Sequence, residues 1–395
     1  MKIDDKTSHN SPSLRFPEFT GEWERCKVSD LLDFYPTNSL SWDKLEYGTN
    51  AIQNLHYGLI HVGLPTMVDL SKDKLPNVVK GNTPKNYELC QEGDVAFADA
   101  SEDTNEVAKA VEFYNLNGNK AICGLHTIHG RDNHQRTIVG YKGYAFSSIS
   151  FHHQIRRIAQ GTKIYSINCK NFSECYVGIP SKEEQSKIAT LLRLIDERIA
   201  VQSRLIEDLK KLRCAVSNKL FQSVKGVVIP LSGISNIVKG KQINGDFLAE
   251  VGEYYVMNGG TEPSGYYDNY NVEANTISIS EGGNSCGYVQ FNRMPFWSGG
   301  HCYTIQDIAS DVETLYLYHY LKSKEDSIMK LRIGTGLPNI QKKDLAEFKV
   351  IIPAIEQQRT ISNILSLLER KTEIEGRMLI AMRTEKQYLL RQMFI

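Results

Sequence analysis

The clearest pattern in the chain is a stripe of apolar positions that advances by alternating steps of four and three residues. From Ser181 to Gln222 the sequence contains neither proline nor glycine, so no helix breaker interrupts it. A repeat of about 3.5 residues is typical of a coiled-coil seam. Pro180, followed by Ser181 and Glu184 in the spacing of a capping box, predicts where the helix begins. Eight of the ten stripe positions are apolar, and the stripe consists of Ile188, Leu192, Ile195, Ile199, Gln202, Ile206, Leu209, Arg213, Val216 and Leu220.

A second stripe with the same steps lies near the end of the chain, and each position follows its counterpart by 173 residues. It consists of Ile361, Leu365, Leu368, Thr372, Glu375, Leu379, Met382, Lys386, Leu389 and Met393. Either each helix packs on its own domain, or the two helices pack on each other. Because a helix of about 40 residues is about 60 Å long, longer than a small domain, pairing is favoured. Antiparallel pairing would put one globular part at each end of a rigid spacer.

The repeat extends upstream of both helices at the same offset. Gly161-Thr162-Lys163-Ile164 returns as Gly334-Thr335-Gly336-Leu337, and the run Ile179–Gln185 returns as Ile352–Gln358. A weaker sequence similarity relates Cys123-Gly124-Leu125-His126 to Gly299-Gly300-His301. Two copies are too few for a solenoid. They indicate instead one chain that imitates a two-fold dimer.

The parts that precede the helices differ in sequence and read as mixed domains with many short strands. Asp94–Phe97 and Asn275–Ile279 are typical of short strands bounded by turn residues. Residues 251–300 are rich in Gly, Asn, Ser and Tyr, which suits either a turn-rich surface or a polar binding surface. Basic residues concentrate late in both parts and form either a solvated face or a phosphate-facing strip. They include Arg131, Arg136, Lys142, Arg156, Arg157, Lys163, Lys322, Lys324, Lys330, Arg332, Lys342 and Lys343.

Composition narrows the class of protein. A length of 395 residues favours two or three domains, and 46 basic against 46 acidic residues exclude a polybasic coat. Apolar runs are shorter than the roughly 20 residues that a membrane span needs, and the polar start is unlike a secretory signal. We therefore expect a cytoplasmic protein with no membrane association. The eight cysteines are scattered without a C-x-x-C pair, which is typical of reduced thiols.

Known catalytic motifs are absent from the sequence. No phosphate-binding loop, dinucleotide fingerprint, nucleophile elbow or N-P-P-[FY] run occurs. Cys123, His126, His129 and His134 lie close together, but the second copy offers only His301 and Cys302, so no metal site is expected. We interpret His126 and His301 as packed or hydrogen-bonded histidines. No catalytic residues are predicted.

Several of these elements together resemble the DNA specificity subunit of a type I restriction–modification system. They are the run from Leu14 to Phe19 with Trp23, the Gly-Thr turn before Ile164 and Leu337, and the I-P-x-x-E-x-Q entry to each helix. Lys163-Ile164-Tyr165 lacks the Pro-Asn found at Pro338-Asn339, so the two turns need not make identical contacts. The order of variable part and helix, repeated twice, covers nearly the whole chain.

The resemblance implies an α+β fold with a pseudo-two-fold internal repeat, in which two mixed α/β target-recognition domains are separated by two long antiparallel coiled-coil helices. The expected segments are a disordered tail at 1–13, domain 1 at 14–178, a central spacer helix at 179–222, domain 2 at 227–350 and a C-terminal spacer helix at 352–395. The residues expected in the spacer seam are Ile188, Leu192, Ile195, Ile199, Ile206, Leu209, Ile361, Leu365, Leu368, Leu379, Met382 and Leu389.

The resemblance also implies a non-catalytic DNA-binding function in DNA methylation and in defence against foreign DNA. Each domain would read one half of a bipartite site in double-stranded DNA, while the helices fix the gap. Such subunits resemble adaptors for two modification (methyltransferase) subunits and, in the full complex, restriction subunits. S-adenosylmethionine, ATP and Mg²⁺ are then expected on those partners, with no cofactor on this chain. The alternatives are a free-standing DNA-modifying enzyme with an unrecognised site, or a coiled-coil scaffold or glycan-binding protein.

Candidate DNA contacts follow as hypotheses in two groups. For base reading we select polar residues of the two variable parts: Ser101, Glu102, Thr104, Asn105, Asn258, Thr261, Ser264, Tyr266, Asn284 and Ser285. For phosphate binding we select basic residues: Arg156, Arg157, Lys163, Lys342 and Lys343.

Overall fold

A computed structural model describes residues 10–334, 336 and 338–395 of the chain. Residues 1–9 of the predicted tail, and Thr335 and Leu337 of the repeated turn, lie outside the described residues. The next part of the predicted tail is tied down at one point, because the backbone oxygen of Asn10 accepts a hydrogen bond of 2.7 Å from the Trp23 amide.

The described chain divides into two compact units. Unit 1 consists of the chain up to Ser203 together with Met378–Ile395, and unit 2 consists of Arg204–Arg377. Each long helix therefore contributes one part to each unit. The predicted domain bounds instead place residues 179–222 and 352–395 in separate spacer segments.

Unit 1 is a mixture of short strands and short helices, followed by the first long helix. Its strands are β1 Glu24–Lys27, β2 Asp33–Tyr35, β3 Leu45–Glu46, β4 Gln53–Leu55, β5 Met67–Asp69, β6 Asn77–Val78, β7 Val95–Ala98, β8 Ala100–Ser101, β9 Ala110–Asn115, β10 Ala121–Cys123, β11 Thr127–Arg131, β12 Tyr165–Ser166 and β13 Tyr176–Ile179. Its helices are α1 Val28–Leu31, α2 Tyr57–His61, α3 Lys142–Phe146, α4 Ile149–Ile158, α5 Cys169–Ser173 and α6 Lys182–Ser223, of which α6 continues into unit 2.

The strands of unit 1 form one central sheet with smaller sheets around it. The central sheet has the order β2-β11-β7-β9-β5, and a second sheet has the order β10-β4-β6-β3. The pairs β1-β13 and β12-β8 complete the unit. Its core lies between the central sheet and helices α3, α4 and α5, where Phe97, Phe146, Phe151 and Phe172 pack in edge-to-face and tilted pairs.

Unit 2 repeats this plan with fewer strands. Its strands are β14 Val227–Pro230, β15 Asn236–Lys239, β16 Tyr254–Met257, β17 Tyr266–Tyr267, β18 Thr276–Ser280, β19 Val289–Asn292, β20 Trp297–Ser298, β21 Cys302–Gln306 and β22 Lys349–Ile352. Its helices are α7 Thr314–Ser323, α8 Glu325–Met329, α9 Lys342–Ala346 and α10 Ile355–Gln392, of which α10 continues into unit 1. The sheets have the orders β15-β21-β18-β19, β17-β16-β20 and β14-β22.

Pairing registers show which strands of the two units correspond. Thr127 faces Ala98 in unit 1 as Cys302 faces Ser280 in unit 2, so β11 and β7 are the counterparts of β21 and β18. The parallel pair of β10 with β4 likewise corresponds to that of β20 with β16. The duplication that the helices indicated therefore extends through the globular parts, although their sequences differ. The architecture is α+β with an internal repeat, as predicted.

The two long helices contain 42 and 38 residues. They begin three residues later than predicted, because Ile179 and Ile352 are the last residues of strands β13 and β22. All twelve predicted seam residues are buried or half-buried, as the apolar stripe requires: Ile188, Leu192, Ile195, Ile199, Ile206, Leu209, Ile361, Leu365, Leu368, Leu379, Met382 and Leu389.

Two ion pairs link the long helices, one inside each unit. In unit 1, Asp196 of α6 lies 2.6 Å from Lys386 of α10, and in unit 2, Arg213 of α6 lies 3.2 Å from Glu369 of α10. The position on α6 rises by 17 residues while the position on α10 falls by 17, so the helices run antiparallel. The two pairs occupy equivalent positions in the repeat with their signs conserved.

A buried glutamine explains the last residue of each I-P-x-x-E-x-Q motif. In unit 2 the Gln358 amide nitrogen donates to the carbonyls of Pro353 and Asp311, and its oxygen accepts from the Glu313 amide. In unit 1 Gln185 bonds to Pro180, Arg136 and Ile138 in the same way. Each glutamine fastens the loop before α3 or α7 to the first turn of a long helix.

We expect Gln358→Ala to destabilise unit 2 by about 2–4 kcal/mol, because three backbone groups lose their partner in a buried place. The shift of the urea unfolding midpoint measures this loss. The neighbouring Gln357 is exposed, so Gln357→Ala is the matched control and should change stability by less than about 0.5 kcal/mol. Equal shifts for the two variants would contradict the anchoring role.

The predicted capping box at Ser181 forms in part. The Ser181 hydroxyl accepts a hydrogen bond of 3.3 Å from the Glu184 amide. The Glu184 carboxylate does not return to Ser181 but accepts two hydrogen bonds of 2.7 Å from the Arg15 guanidinium. Lys187 lies over the rings of Phe16 and Phe19. The run from Leu14 to Phe19 therefore packs against the first turns of α6.

The length and apolar character of the helices bear on whether any of them could span a membrane. Among the described residues, no helix combines the length and the apolar character that a transmembrane span requires.

Candidate nucleic-acid interface

In unit 1, polar residues gather where strand β7 ends and strand β11 begins. Asp99 follows β7 and His126 precedes β11, and the His126 Nδ1 atom lies 3.1 Å from the Asp99 Oδ1 atom. His126 has a positive φ of 54°, which turns its side chain out of the sheet direction, and it is half exposed. We call the loops around these two residues edge 1.

An aromatic row lies beside edge 1. The ring of Tyr57 meets His126 edge to face at 5.2 Å, His56 lies 4.7 Å from Tyr57, and Trp42 lies 4.5 Å from His56. Burial, together with the nearby His126, lowers the pKa of His56, so its ring is neutral at neutral pH. Trp42 is 47% exposed. Exposed aromatic faces beside hydrogen-bonding groups can contact base edges and unstacked bases.

Unit 2 has the same arrangement at the corresponding place. Glu281 follows β18 and His301 precedes β21, with 3.5 Å between the Glu281 Oε2 atom and the His301 Nδ1 atom. Lys239 and the Tyr303 hydroxyl both bind the other carboxylate oxygen, at 2.6 and 3.1 Å. The acid–histidine pair is therefore part of both repeats. We call the loops around it edge 2.

Three loops meet at edge 2. The His301 amide donates to the Asn258 side-chain oxygen at 3.2 Å, and the Ser280 hydroxyl donates to the Gly259 carbonyl at 2.6 Å. The Gly283 amide donates to the Pro338 carbonyl. At Gly259, with φ of +85°, a Cβ atom would lie 3.0 Å from atoms of His301. A glycine is required there because the two loops approach so closely.

The structure gathers part of the base-reading group predicted for domain 2. Asn258 is bound to His301, and Asn284 and Ser285 lie on the Gly283 loop of the same edge. Thr261 and Ser264 are exposed on the loop after β16. Tyr266 starts strand β17, where it pairs with Tyr255.

The group predicted for domain 1 forms a self-contained network. The Ser101 hydroxyl accepts from the Asp103 amide, and the Asp103 carboxylate accepts from Asn105. Arg156 of α4 donates to the Asn105 side-chain oxygen at 2.9 Å. This network caps a turn. Its hydrogen bonds occupy polar groups of Ser101 and Asn105 that contacts with bases would need. The remaining members of the predicted set are exposed or half-buried beside it: Glu102, Thr104, Arg157 and Lys163.

The predicted phosphate contacts of unit 2 follow a loop that is bonded to edge 2, since the Ile340 amide donates to the Glu281 carbonyl. Lys342 and Lys343 are exposed at the start of α9, and Lys342 lines a shallow depression with Asn236 and Asp307. Asn236 pairs with Gln306, at the end of β15 and β21 opposite to His301. Lys342 therefore lines this depression at the far end of the strands, while the segment just before it is bonded to edge 2.

If Lys342 contacts a phosphate, Lys342→Ala should weaken binding equally for all DNA sequences and lower the salt slope of log K by about one. The measurement is a titration of labelled duplexes at several salt concentrations. Lys225→Ala, which removes an exposed lysine just after α6, is the control. A change of preferred sequence without a change of slope would disprove the phosphate role.

Sequence reasoning missed the residues that organise both edges. Asp99, Glu281 and the row Trp42, His56 and Tyr57 gave no signal by spacing. The weak sequence similarity around His126 and His301 was the pattern that pointed to these two edges. His126 is hydrogen-bonded to Asp99, whereas His301 lies 3.5 Å from the Glu281 carboxylate without a hydrogen bond to it, and both histidines are exposed rather than packed.

One group of side chains in unit 1 could hold a metal ion. Cys90, Cys123 and His129 are buried, and each offers a ligand atom within 4.8 Å of the others. His126 and His134 of the predicted cluster are not part of this group. Within the described residues, no other cysteine, histidine or carboxylate cluster has this geometry.

Comparisons with known proteins agree with this geometry. Residues 224–381 match the family model of the type I restriction modification DNA specificity domain. A protein of Mycoplasma pneumoniae assigned as a type I specificity subunit is 33% identical over 145 residues, which are 36% of this chain and 38% of that protein. A counterpart from Mycoplasma genitalium is 26% identical over 61% of this chain and 67% of its own length.

Solved structures support the fold over the full length. The crystal structure of a type I restriction-modification S subunit from M. genitalium covers 98% of this chain and 99% of its own, with a TM-score of 0.65 and 20% identity. A chain from a study of complex assembly and conformational transition of the type I R-M system covers 93% of this chain and 96% of its own, with a TM-score of 0.57 and 14% identity.

The duplicated units and paired helices define a class of protein in which two units share one fold and each is followed by a long helix. Within that class, residues 224–381 match the DNA specificity domain of type I restriction–modification systems, and the chain as a whole is similar to their specificity subunits. The predicted fold class and the family resemblance are both confirmed.

Proposed function

We propose that this chain recognises a bipartite DNA sequence, with edge 1 reading one part and edge 2 the other. The main support is an acid–histidine pair at the same place in both units, which share a fold but differ in sequence. The pairs are Asp99 with His126 and Glu281 with His301. Equal frameworks with different loops suit two readers of different half-sites. Carboxylates, imidazoles and amides supply the acceptors and donors that major-groove base edges match.

The antiparallel helices suit a spacer between the two readers. Helix rise is a fixed 1.5 Å per residue, so a paired helix sets a separation that a flexible linker would not hold. On a duplex, contacts on one face recur with the helical turn of about 10.5 bp. The proposal is that the length of α6 and α10 determines the gap of the recognised sequence.

Catalysis is proposed to reside on partner polypeptides. The chain would recruit two modification subunits, and restriction subunits in the full complex, since a pseudo-two-fold repeat offers two similar docking faces. S-adenosylmethionine would act on the modification subunits, with the target adenine flipped into their pocket. ATP and Mg²⁺ would act on the restriction subunits, and this chain would contribute DNA sequence recognition without catalysis.

Mapping of methylated bases across a host genome tests this function. Cells that express the chain with its modification subunits should acquire methylation at one bipartite motif, and cells without the chain should lose it. A continuous motif would contradict two readers. Methyl transfer from labelled cofactor by the purified chain alone would support the alternative of a free-standing modifying enzyme.

A further inference from the structure

The group Cys90, Cys123 and His129 lies buried inside unit 1, on strands β10 and β11 and the segment before β7. The two sulfur atoms are 3.7 Å apart, and a ring nitrogen of His129 lies within 4.8 Å of both. Cys90 is 5%, Cys123 1% and His129 0% exposed. Two thiolates bound to one tetrahedral zinc ion, each at about 2.3 Å, would be about 3.8 Å apart. The sulfur atoms already have the separation of metal ligands.

Hydrogen bonding determines which histidine nitrogen is available. The His129 Nε2 atom lies 2.7 Å from the Asp94 carboxylate, which also accepts two hydrogen bonds from Arg131. An ionised carboxylate only accepts, so the proton of the neutral imidazole is on Nε2 and the lone pair is on Nδ1. The Nδ1 atom is buried and has no hydrogen-bond partner. A carboxylate behind the far nitrogen is the arrangement that orients histidine ligands of metals.

The corresponding positions of unit 2 show that the fold itself does not need this group. The Cys90 amide bonds to Ala121 as the Val272 amide bonds to Phe296, so Val272 is the counterpart of Cys90. Strand registers make Ser298 the counterpart of Cys123 and Thr304 the counterpart of His129. Unit 2 therefore builds the same sheets without a thiol or an imidazole at these three positions.

We propose that unit 1 contains a zinc site formed by the sulfur atoms of Cys90 and Cys123 and the Nδ1 atom of His129. Two soft sulfur ligands and one imidazole favour a d10 ion such as Zn²⁺ over Mg²⁺ or Ca²⁺. On binding, the two thiols release their protons to solvent and the thiolates coordinate the ion. A water molecule completes four-fold coordination. The ion would fasten the segment before β7 to strands β10 and β11.

Metal binding by the purified full chain tests this proposal. After chelator treatment, one Zn²⁺ per chain should bind and raise the melting temperature. Co²⁺ in its place should give thiolate-to-cobalt charge-transfer bands in the near ultraviolet. Cys90→Ala should weaken Zn²⁺ binding at least tenfold. Cys175→Ala is the matched control, since Cys175 is also in unit 1 and also 5% exposed, and it should bind Zn²⁺ unchanged.

Three results would overturn the proposal. The first is an unmodified chain that binds no Zn²⁺ and shows no cobalt charge-transfer band, which decides the question even if Cys90→Ala fails to fold. The second is equal Zn²⁺ affinity of the Cys90→Ala and Cys175→Ala chains. The third is a disulfide between Cys90 and Cys123 in the purified protein, since it would assign the pair to redox chemistry rather than to a metal.

Discussion

Replacing Asn258 and His301 by alanine should change one half of the methylated DNA sequence and leave the other half intact. The Asn258 oxygen holds the His301 amide, so the double change removes both the histidine and the support of its loop. A lost base contact costs about 1–3 kcal/mol of discrimination, roughly a 5- to 150-fold relaxation at the bases concerned. The readout is the methylation map of cells that contain the variant and the modification subunits.

The duplication supplies a reciprocal control for this result. His126→Ala with Asp99→Ala disrupts edge 1 instead of edge 2 and should relax only the other half-site. Both halves changing together in either variant would show that the edges do not read DNA separately. Unchanged methylation maps for both variants would indicate that other residues, such as Thr261 or Ser264, read the bases.

Lengthening both long helices by four residues should widen the gap of the recognised sequence and leave both half-sites unchanged. The insertions are placed after Leu209 in α6 and after Glu373 in α10, between the ion pairs Asp196–Lys386 and Arg213–Glu369. A four-residue insertion unwinds a coiled coil only locally, so both ion pairs can persist on either side of it. Four residues add about 6 Å of helix, close to two base pairs of B-DNA.

A four-residue insertion at Gly118 is the matched control. This glycine lies in the exposed turn between β9 and β10, so the chain grows without a longer helix. The control should keep the original gap in the methylation map. An unchanged gap in the helix variant would end the spacer hypothesis, and a changed half-site would show that the helices take part in base reading.

Much of the helical framework was predictable because its signal is local. The seam from Ile188 to Leu209 repeats at the helical period, and burial of one face follows directly from that period. The offset of 173 residues predicted a second helix with the same face and hence the internal two-fold. Strands β7 and β18 were also visible as short apolar runs bounded by turns.

The candidate interface was less predictable, because its residues are distant in sequence. His126 meets Asp99 27 positions earlier, and the loops of edge 2 come from three separate stretches. The polar residues favoured in domain 1 are short-range neighbours, and in the structure Ser101, Asp103 and Asn105 bond to one another. Local polar clusters tend to satisfy themselves in turns, which is why composition alone misleads there.

The sequence by itself determined the two long helices, their shared seam and the duplication, since these depend on periodicity and on a constant offset. Only the tertiary structure decided that His126 and His301 stand at exposed edges, that Gln185 and Gln358 anchor loops, and that Cys90 reaches Cys123. Strand register creates these contacts, and register depends on packing across the whole sheet rather than on any one segment.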